Sequence, residues 1–249
     1  MEELMARIFI TGSADGLGRA AAQTLLADGH HVVVHVRGQQ RLDAVQELLD
    51  AGARAVVGDL SDLSQTQDVA RQVNQLGGMD AIIHNAGVYS DPRVLPVNVV
   101  APYVLTALIR RPRRLIYLSS GMHLSGRPVL TGLDWTGKSA SASYSDSKLF
   151  VTTLAAAVAR LWSDVVSSSV DPGWVPTKMG GPSAPDDLRL GHRTQEWLAT
   201  SQDRDVFLSG HYWHHQRRVE PHAASRDIVF QNALLDTLEE VTGLALSKS

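Results

Sequence analysis

Short, wholly apolar runs alternate along this chain with longer stretches in which apolar residues recur every three to four positions. The first run, at 8–10, leads into a helical pattern from Leu17 to about Ala27. His31–Val36 reads as a second strand and 39–50 as a helix with Leu42, Val45, Leu48 and Leu49 on one side. The spacing then predicts strands at 53–57, 79–84, 114–119 and 165–170, with helices at 61–76, 95–109 and 143–162 between them, the first of these capped by Ser61. Apolar strands separated by helices of about ten or more residues are the pattern of a parallel sheet covered on both faces. The expected fold is therefore α/β and doubly wound, with about six or seven strands. From Trp174 to about Glu220 the periodicity fades, and Pro176, Pro182, Pro185, Trp197 and Trp213 mark an irregular flap with a helix near 187–200. Tyr212-Trp213 offers a seventh strand, and a last helix at 228–241 stops at Gly243.

Composition narrows the picture. The 249 residues are 44% hydrophobic and 20% charged, enough for one sizeable core, and a single domain over 1–249 is expected. A net charge of −3 supplies no basic field for nucleic acid, and Arg110, Arg111, Arg113 and Arg114 read as a solvated helix end. Without cysteine there is no disulfide, thiolate metal site or cysteine nucleophile. Met1-Glu2-Glu3-Leu4 lacks a basic segment followed by an apolar one, and no apolar window is long enough to span a bilayer, so a soluble, cytoplasmic protein with no membrane partner is expected.

Ligands of open parallel sheets bind beyond the carboxyl ends of the strands, where strand order reverses. In this chain the strands are followed in turn by Gly12, Gly16 and Gly18; Arg37; Asp59 and Leu60; Asn85-Ala86-Gly87; Ser119 and Ser120; and Pro172-Gly173. Glycines between a strand and a helix allow φ > 0 and close approach, and the helix N-terminus attracts phosphate, so a dinucleotide pyrophosphate fits the first turn. A carboxylate ending the second strand would select NAD(H), but that place holds Val36 followed by Arg37, a guanidinium suited to a 2′-phosphate. NADP(H) is thus the expected cofactor and NAD(H) the second possibility, with Ser13 adding a hydroxyl contact and Asp15 an unfavourable charge. Tyr144 and Lys148 share a helix face, and a neighbouring ammonium, with a cationic nicotinamide nearby, lowers a phenol from its ordinary value of about 10, making it a usable proton donor and acceptor.

Together the TGxxxGxG run at 11–18, NAG at 85–87, Asn98, the serine pair at 119–120, YxxxK at 144–148 and PG at 172–173 resemble the classical short-chain dehydrogenase/reductase family over nearly the whole chain. The resemblance implies a Rossmann domain that transfers hydride between a nicotinamide cofactor and a ketone or aldehyde and its alcohol. It implies Tyr144 as general acid/base, Lys148 on the nicotinamide ribose, Ser120 on the substrate carbonyl and Asn98 holding a relay water. Around the cofactor it implies Gly12, Gly16, Leu17 and Gly18 at the pyrophosphate, and Asp59, Leu60 and Asn85 to Gly87 on the adenosine side. Pro172, Gly173, Val175 and Thr177 would lie at the nicotinamide end, and Met122 and Trp174 beside the substrate.

Departures from the usual pattern are also visible. Ten residues separate Gly87 from Asn98, His84 stands where an asparagine is common, and Pro102 where a glycine is frequent. The 23 residues between Ser120 and Tyr144, with Leu133-Asp134-Trp135, resemble the retinol-dehydrogenase-like branch. The resemblance and the small-residue face of Leu149, Val151, Thr152, Leu154, Ala155 and Ala156 lead to an expected homodimer or homotetramer. His211, His214 and His215 read as a solvated flap, not a metal site, and Asp186-Asp187 as a helix N-terminus. Met122, His123, Trp135, Trp174, Met179 and Trp197 are open between pocket lining and flap packing. The competing functions are a non-catalytic NADP sensor, which the intact tyrosine and lysine disfavour, and family members acting on a C=C bond or a sugar nucleotide.

Overall fold

The computed structural model describes residues 5–246; Met1-Glu2-Glu3-Leu4, read above as carrying no leader, lies outside them. The strands are β1 (Arg7–Ile10), β2 (His31–Val36), β3 (Arg54–Val57), β4 (Ala81–His84), β5 (Arg114–Leu118), β6 (Val166–Asp171), β7 (Tyr212–His214) and β8 (Arg217–Val219). Among the described residues they form one sheet in the order β3-β2-β1-β4-β5-β6-β7-β8, parallel except for β8. The helices are α1 (Gly16–Ala27), α2 (Gln46–Asp50), α3 (Leu63–Gln75), α4 (Ala101–Leu108), α5 (Tyr144–Leu161), α6 (Leu188–Thr200) and α7 (Ile228–Thr242). Strand order reverses between β1 and β4, so their carboxyl ends open a crevice.

Alternation along each strand divides the apolar residues between two cores. Phe9, Val33, Ile82 and Leu115 pack with Val69 of α3, Val104 of α4, Phe150 of α5 and Leu234 of α7. Ile8, Ile10, Val34 and Ile116 face the other way, onto Leu25 of α1, Leu48 of α2 and Leu198 of α6. Truncating a fully buried Phe9 to alanine is expected to cost roughly 3–5 kcal/mol, because little else can fill the space between sheet and helices.

Several local expectations change. The helix expected at 39–50 is a 3-10 turn, Gln39–Val45, followed by the short α2. Asp62, not Ser61, caps α3 by accepting the Gln65 N–H at 3.0 Å, while the Ser61 hydroxyl donates to Asp59 at 2.7 Å. α3 starts at Leu63, which puts Asp62 at the N-cap and Ser61 one residue before it. The stretch 95–109 opens with a π turn, Pro96–Val100, that contains Asn98. Arg114 is not solvated: it is 8% exposed and donates to the carbonyls of Leu198 and Ser201 at 2.9 and 2.8 Å. Those are orphan acceptors at the end of α6, which a local reading of the arginine cluster has no means to see.

The flap is more ordered than its composition suggests, because α6 and the β7–β8 hairpin are built within it. The eighth strand escaped the sequence pattern for two reasons. It is three exposed residues long, and its turn places His215 and Gln216 at φ 46° and 60°, where glycine or asparagine is the usual signal. The helix expected to end at Gly243 does so, with that glycine at φ 70° and its N–H on the Glu239 carbonyl.

The face expected to meet a second copy is used inside the chain. Leu149, Val151, Thr152, Leu154 and Ala155 are at most 2% exposed, since Phe230 of α7 packs beside Phe150 and Arg160 reaches across to Gln231. Of that face only Ala156 is left half-buried, so the expected homodimer or homotetramer rests on the family resemblance. No helix among the described residues is long and apolar enough to cross a membrane.

Candidate active site

The turn after β1 depends on glycine at two places. Gly12 and Gly16 have φ of +67° and +55°, and a Cβ on Gly12 would stand 3.0 Å from the Ala86 Cα. The turn is held from outside by groups with no motif of their own. Gly12 donates its N–H to His35 Nδ1 at 3.0 Å, and His35 Nε2 meets the Gly58 carbonyl at 2.8 Å, which fixes a neutral ring with its proton on Nε2. Burial accordingly holds the imidazole down at about 4. The Thr11 hydroxyl accepts the N–H groups of Asn85 and Ala86 at 2.9 and 3.0 Å, tying the two ligand-facing turns together.

A cleft of about 1020 Å³ runs over these turns, and every expected cofactor and substrate residue lines it except Ser13, Gly18 and Asn98. Ser13 is fully buried, donates to the Ile10 carbonyl at 2.6 Å and accepts the His35 N–H at 3.2 Å, so its hydroxyl is spent within the turn and faces no ligand. Gly18 leaves room for another element: a Cβ there would fall 2.3 Å from the Asn85 amide nitrogen. That amide donates to the carbonyls of Thr11 and Gly12, so Asn85 braces the glycine turn as well as lining the cleft. Asn98 accepts the Val88 N–H at 2.9 Å and donates to the Val88 carbonyl and the Ser147 hydroxyl at 3.0 Å. The short connection from β4 lays Val88 directly on its side chain, and the amide serves as a staple there.

Asp15 is less unfavourable than its charge alone suggests, since Lys178 lies at 2.8 Å and Arg41 at 3.5 Å. Arg37 is exposed at the end of β2 and lines the cleft with Arg41. On the same side Arg93 is bound by Asp91 and feels Asp59.

Tyr144 opens α5 behind a capping box in which Ser143 and Asp146 satisfy each other's backbone, so its position is set by the helix end. Ser120 lies close enough to the phenol to pull it down, and the Tyr89 ring leans against it with centroids 4.8 Å apart. Lys148, one turn on, is buried; its Nζ donates to the Leu118 carbonyl at 2.7 Å and lies 5.4 Å from the Tyr144 ring centroid. The protein's own groups do not lower the phenol. Burial pushes Tyr144 up to about 12 against the pull of Ser120, with Asp171 and Tyr89 adding to the rise. Lys148 is brought down to about 8 by burial, with Asp171 opposing. An ammonium occupied by a carbonyl and itself desolvated gives the tyrosine little help.

Asp171 was invisible in the sequence because an acid before Pro-Gly reads as turn chemistry. At the end of β6 it accepts the Gly173 N–H at 3.0 Å, lies 3.4 Å from His214 Nδ1, and would stand 3.0 Å from a Cβ on Gly121. It thus abuts the turns on both sides of the catalytic end. Of the six residues open between lining and packing, Met122, Trp174 and Met179 line the cleft. Trp135 packs against Phe150, His123 against Tyr212 and Trp197 against Trp213. Asp187 caps α6, whereas Asp186 accepts the Trp174 N–H at 2.6 Å and anchors the flap. His214 and His215 stack on one another at 3.9 Å, and His211 meets the edge of Trp213.

Comparison with known proteins places this architecture. Residues 6–110 match the family model for short chain dehydrogenases. The short-chain dehydrogenase chry4 of Gibberella zeae is 37% identical over 97% of this chain and 99% of its own. DnrU of a Streptomyces species, named as a candidate daunorubicin C-13 ketoreductase, is 30% identical over 86% of this chain and 84% of its own. Among solved structures, a blue fluorescent protein from a metagenomic library, crystallised with NADPH, superposes with a TM-score of 0.69 at 23% identity, over 86% of this chain and 97% of that one. With 37% identity to chry4 across nearly the full length of both chains, this protein belongs to the short-chain dehydrogenase/reductase family of oxidoreductases.

Proposed function

We propose that this single-domain enzyme interconverts a ketone or aldehyde with its alcohol using NADP(H), with NAD(H) as the weaker alternative. One observation carries the reading: Ser120, Tyr144 and Lys148 converge at one end of the cleft, beyond β5, while Arg37 and the glycine turn lie at the other, beyond β2 and β1. The cleft fits a dinucleotide, because a side chain on Gly12 would already meet Ala86 and the N-cap residue of α1, Asp15, makes no side-chain cap hydrogen bond. Two relatives add support, DnrU through the ketone chemistry in its name and the metagenomic protein through its NADPH.

When bound, the nicotinamide supplies or accepts the hydride. Ser120 orients the substrate oxygen and Tyr144 exchanges its proton with it. A phenol pushed up to about 12 is a competent donor toward an alkoxide but is rarely ionised near neutral pH, so accepting the alcohol's proton in the oxidative direction needs additional positive charge beside Tyr144. Lys148 is placed to hold the ribose and provide part of that charge. Asn98 positions α5 against the β4 connection, through Ser147 and Val88, and the relay water remains a proposed role for this segment. Following NADPH and NADH absorbance across a panel of carbonyl compounds tests the reading; absence of turnover with every carbonyl would refute it.

A further inference from the structure

Large apolar side chains normally leave the surface, yet four stand open around the reacting end of this cleft: Tyr89 at 50% exposure, Met122 at 42%, Trp174 at 58% and Met179 at 45%. They come from three separate loops, after β4, β5 and β6. Tyr89 leans on the Tyr144 ring. The Trp174 indole is held by its Nε1–H on the Gly180 carbonyl at 2.8 Å. Met179 reaches back over the cleft, its methyl 3.9 Å from where a Gly87 Cβ would stand, a point itself 3.6 Å from Lys148 Nζ.

The charged residues lining the cleft are distributed in the opposite way. Asp15, Arg41 and Lys178 pair above the glycine turn. Arg37, Asp59 and Arg93 gather on the adenosine side, where Asp91 feels Arg37 and Arg93 feels Asp59. Lys148 is the exception, and its ammonium is buried on the Leu118 carbonyl. A carboxylate carried by a substrate would therefore be desolvated against Tyr89, Trp174 and the two methionines without a free counter-ion.

Resting on the carbonyl reading above, we propose that Tyr89, Met122, Trp174 and Met179 form a cage for a neutral carbonyl compound with a flat apolar body, of the aryl ketone class. Aromatic rings offer stacking faces to such a body, and the thioethers adapt to its outline.

Equilibrium dialysis with NADP+ present, using 2-acetonaphthone and its anionic analogue 6-acetyl-2-naphthoate, tests the cage independently of turnover. The neutral ketone is expected to bind at least tenfold more tightly than the carboxylate. Tyr89→Ala and Trp174→Ala, with thermal melts to confirm folding, are each expected to weaken the neutral ketone at least fivefold. Equal binding of the two compounds, or wild-type affinity in both variants, overturns the proposal. Tight, variant-sensitive binding of 2-acetonaphthone, with no reduction of it when NADPH replaces NADP+, would uphold the cage and overturn the carbonyl reading instead.

Discussion

The Gly12 N–H donates to Nδ1 of His35 at 3.0 Å, so the first glycine of the phosphate turn is held by a buried imidazole on the neighbouring strand. That bond exists only while His35 is neutral. Burial holds it at about 4, well below the ordinary histidine value of about 6.5, so the unfolded chain binds the extra proton first as pH falls. His84, also buried and held near 3, acts with the same sign. Stability is therefore complete above about pH 6.5 and drains away as pH drops toward 4, by about 2 kcal/mol per imidazole at pH 5. Urea unfolding at pH 7 and pH 5 should show this loss, and His35→Gln should reduce the difference by about 2 kcal/mol.

Tyr144→Phe removes a proton and leaves the ring. Turnover is expected to fall by about a hundredfold to ten-thousandfold while NADP(H) affinity stays within about twofold, read by steady-state kinetics and fluorescence titration. Retained turnover would mean that another group moves the proton.

Lys148→Met is expected to damage rate and cofactor affinity together, if one ammonium serves both the ribose and the phenol as proposed. Asp171→Asn reports on what keeps that ammonium charged. Lys148 lies at about 8, and Asp171 opposes the burial that puts it there. Neutralising Asp171, with His214, His123, Tyr144 and Tyr212 also facing it, should move the alkaline limb of kcat/KM down by about one pH unit, and Asp171→Glu should restore it. An unmoved limb would leave Asp171 only its turn-bracing hydrogen bond.

Arg37→Ala tests the reading of the 2′-phosphate. Losing a bidentate, charge-assisted contact should cost NADPH about 1.5–3 kcal/mol, or roughly tenfold to a hundredfold in affinity, with NADH nearly unchanged. Arg41 lines the same side of the cleft but is shared with Asp15, so its removal should cost less. Wild-type enzyme that prefers NADH, or equal loss for both cofactors, would show that the phosphate is not read at β2.

The sequence by itself determined whatever has a local cause. Three apolar residues running into Gly12 and Gly16 make a strand and a turn that only those glycines permit, and a Ser-x-x-Asp box at 143–146 starts the helix that carries Tyr144 and Lys148 on one face. Because ligands gather at strand ends, reading the residue after each strand found most of the cleft. The tertiary structure decided what depends on which groups burial brings together. It turned Ser13 and Gly18 inward, gave Asn98 to Val88, set Arg114 on the end of α6, and covered with α7 a helix face that looked free for a partner. It also desolvated the Tyr144 phenol, an upward push that spacing along a helix does not contain, since desolvation is a property of the assembled core. His35 and Asp171 belong to the same class: their partners lie 23 and 43 residues away, and only the parallel register of the sheet puts them in reach.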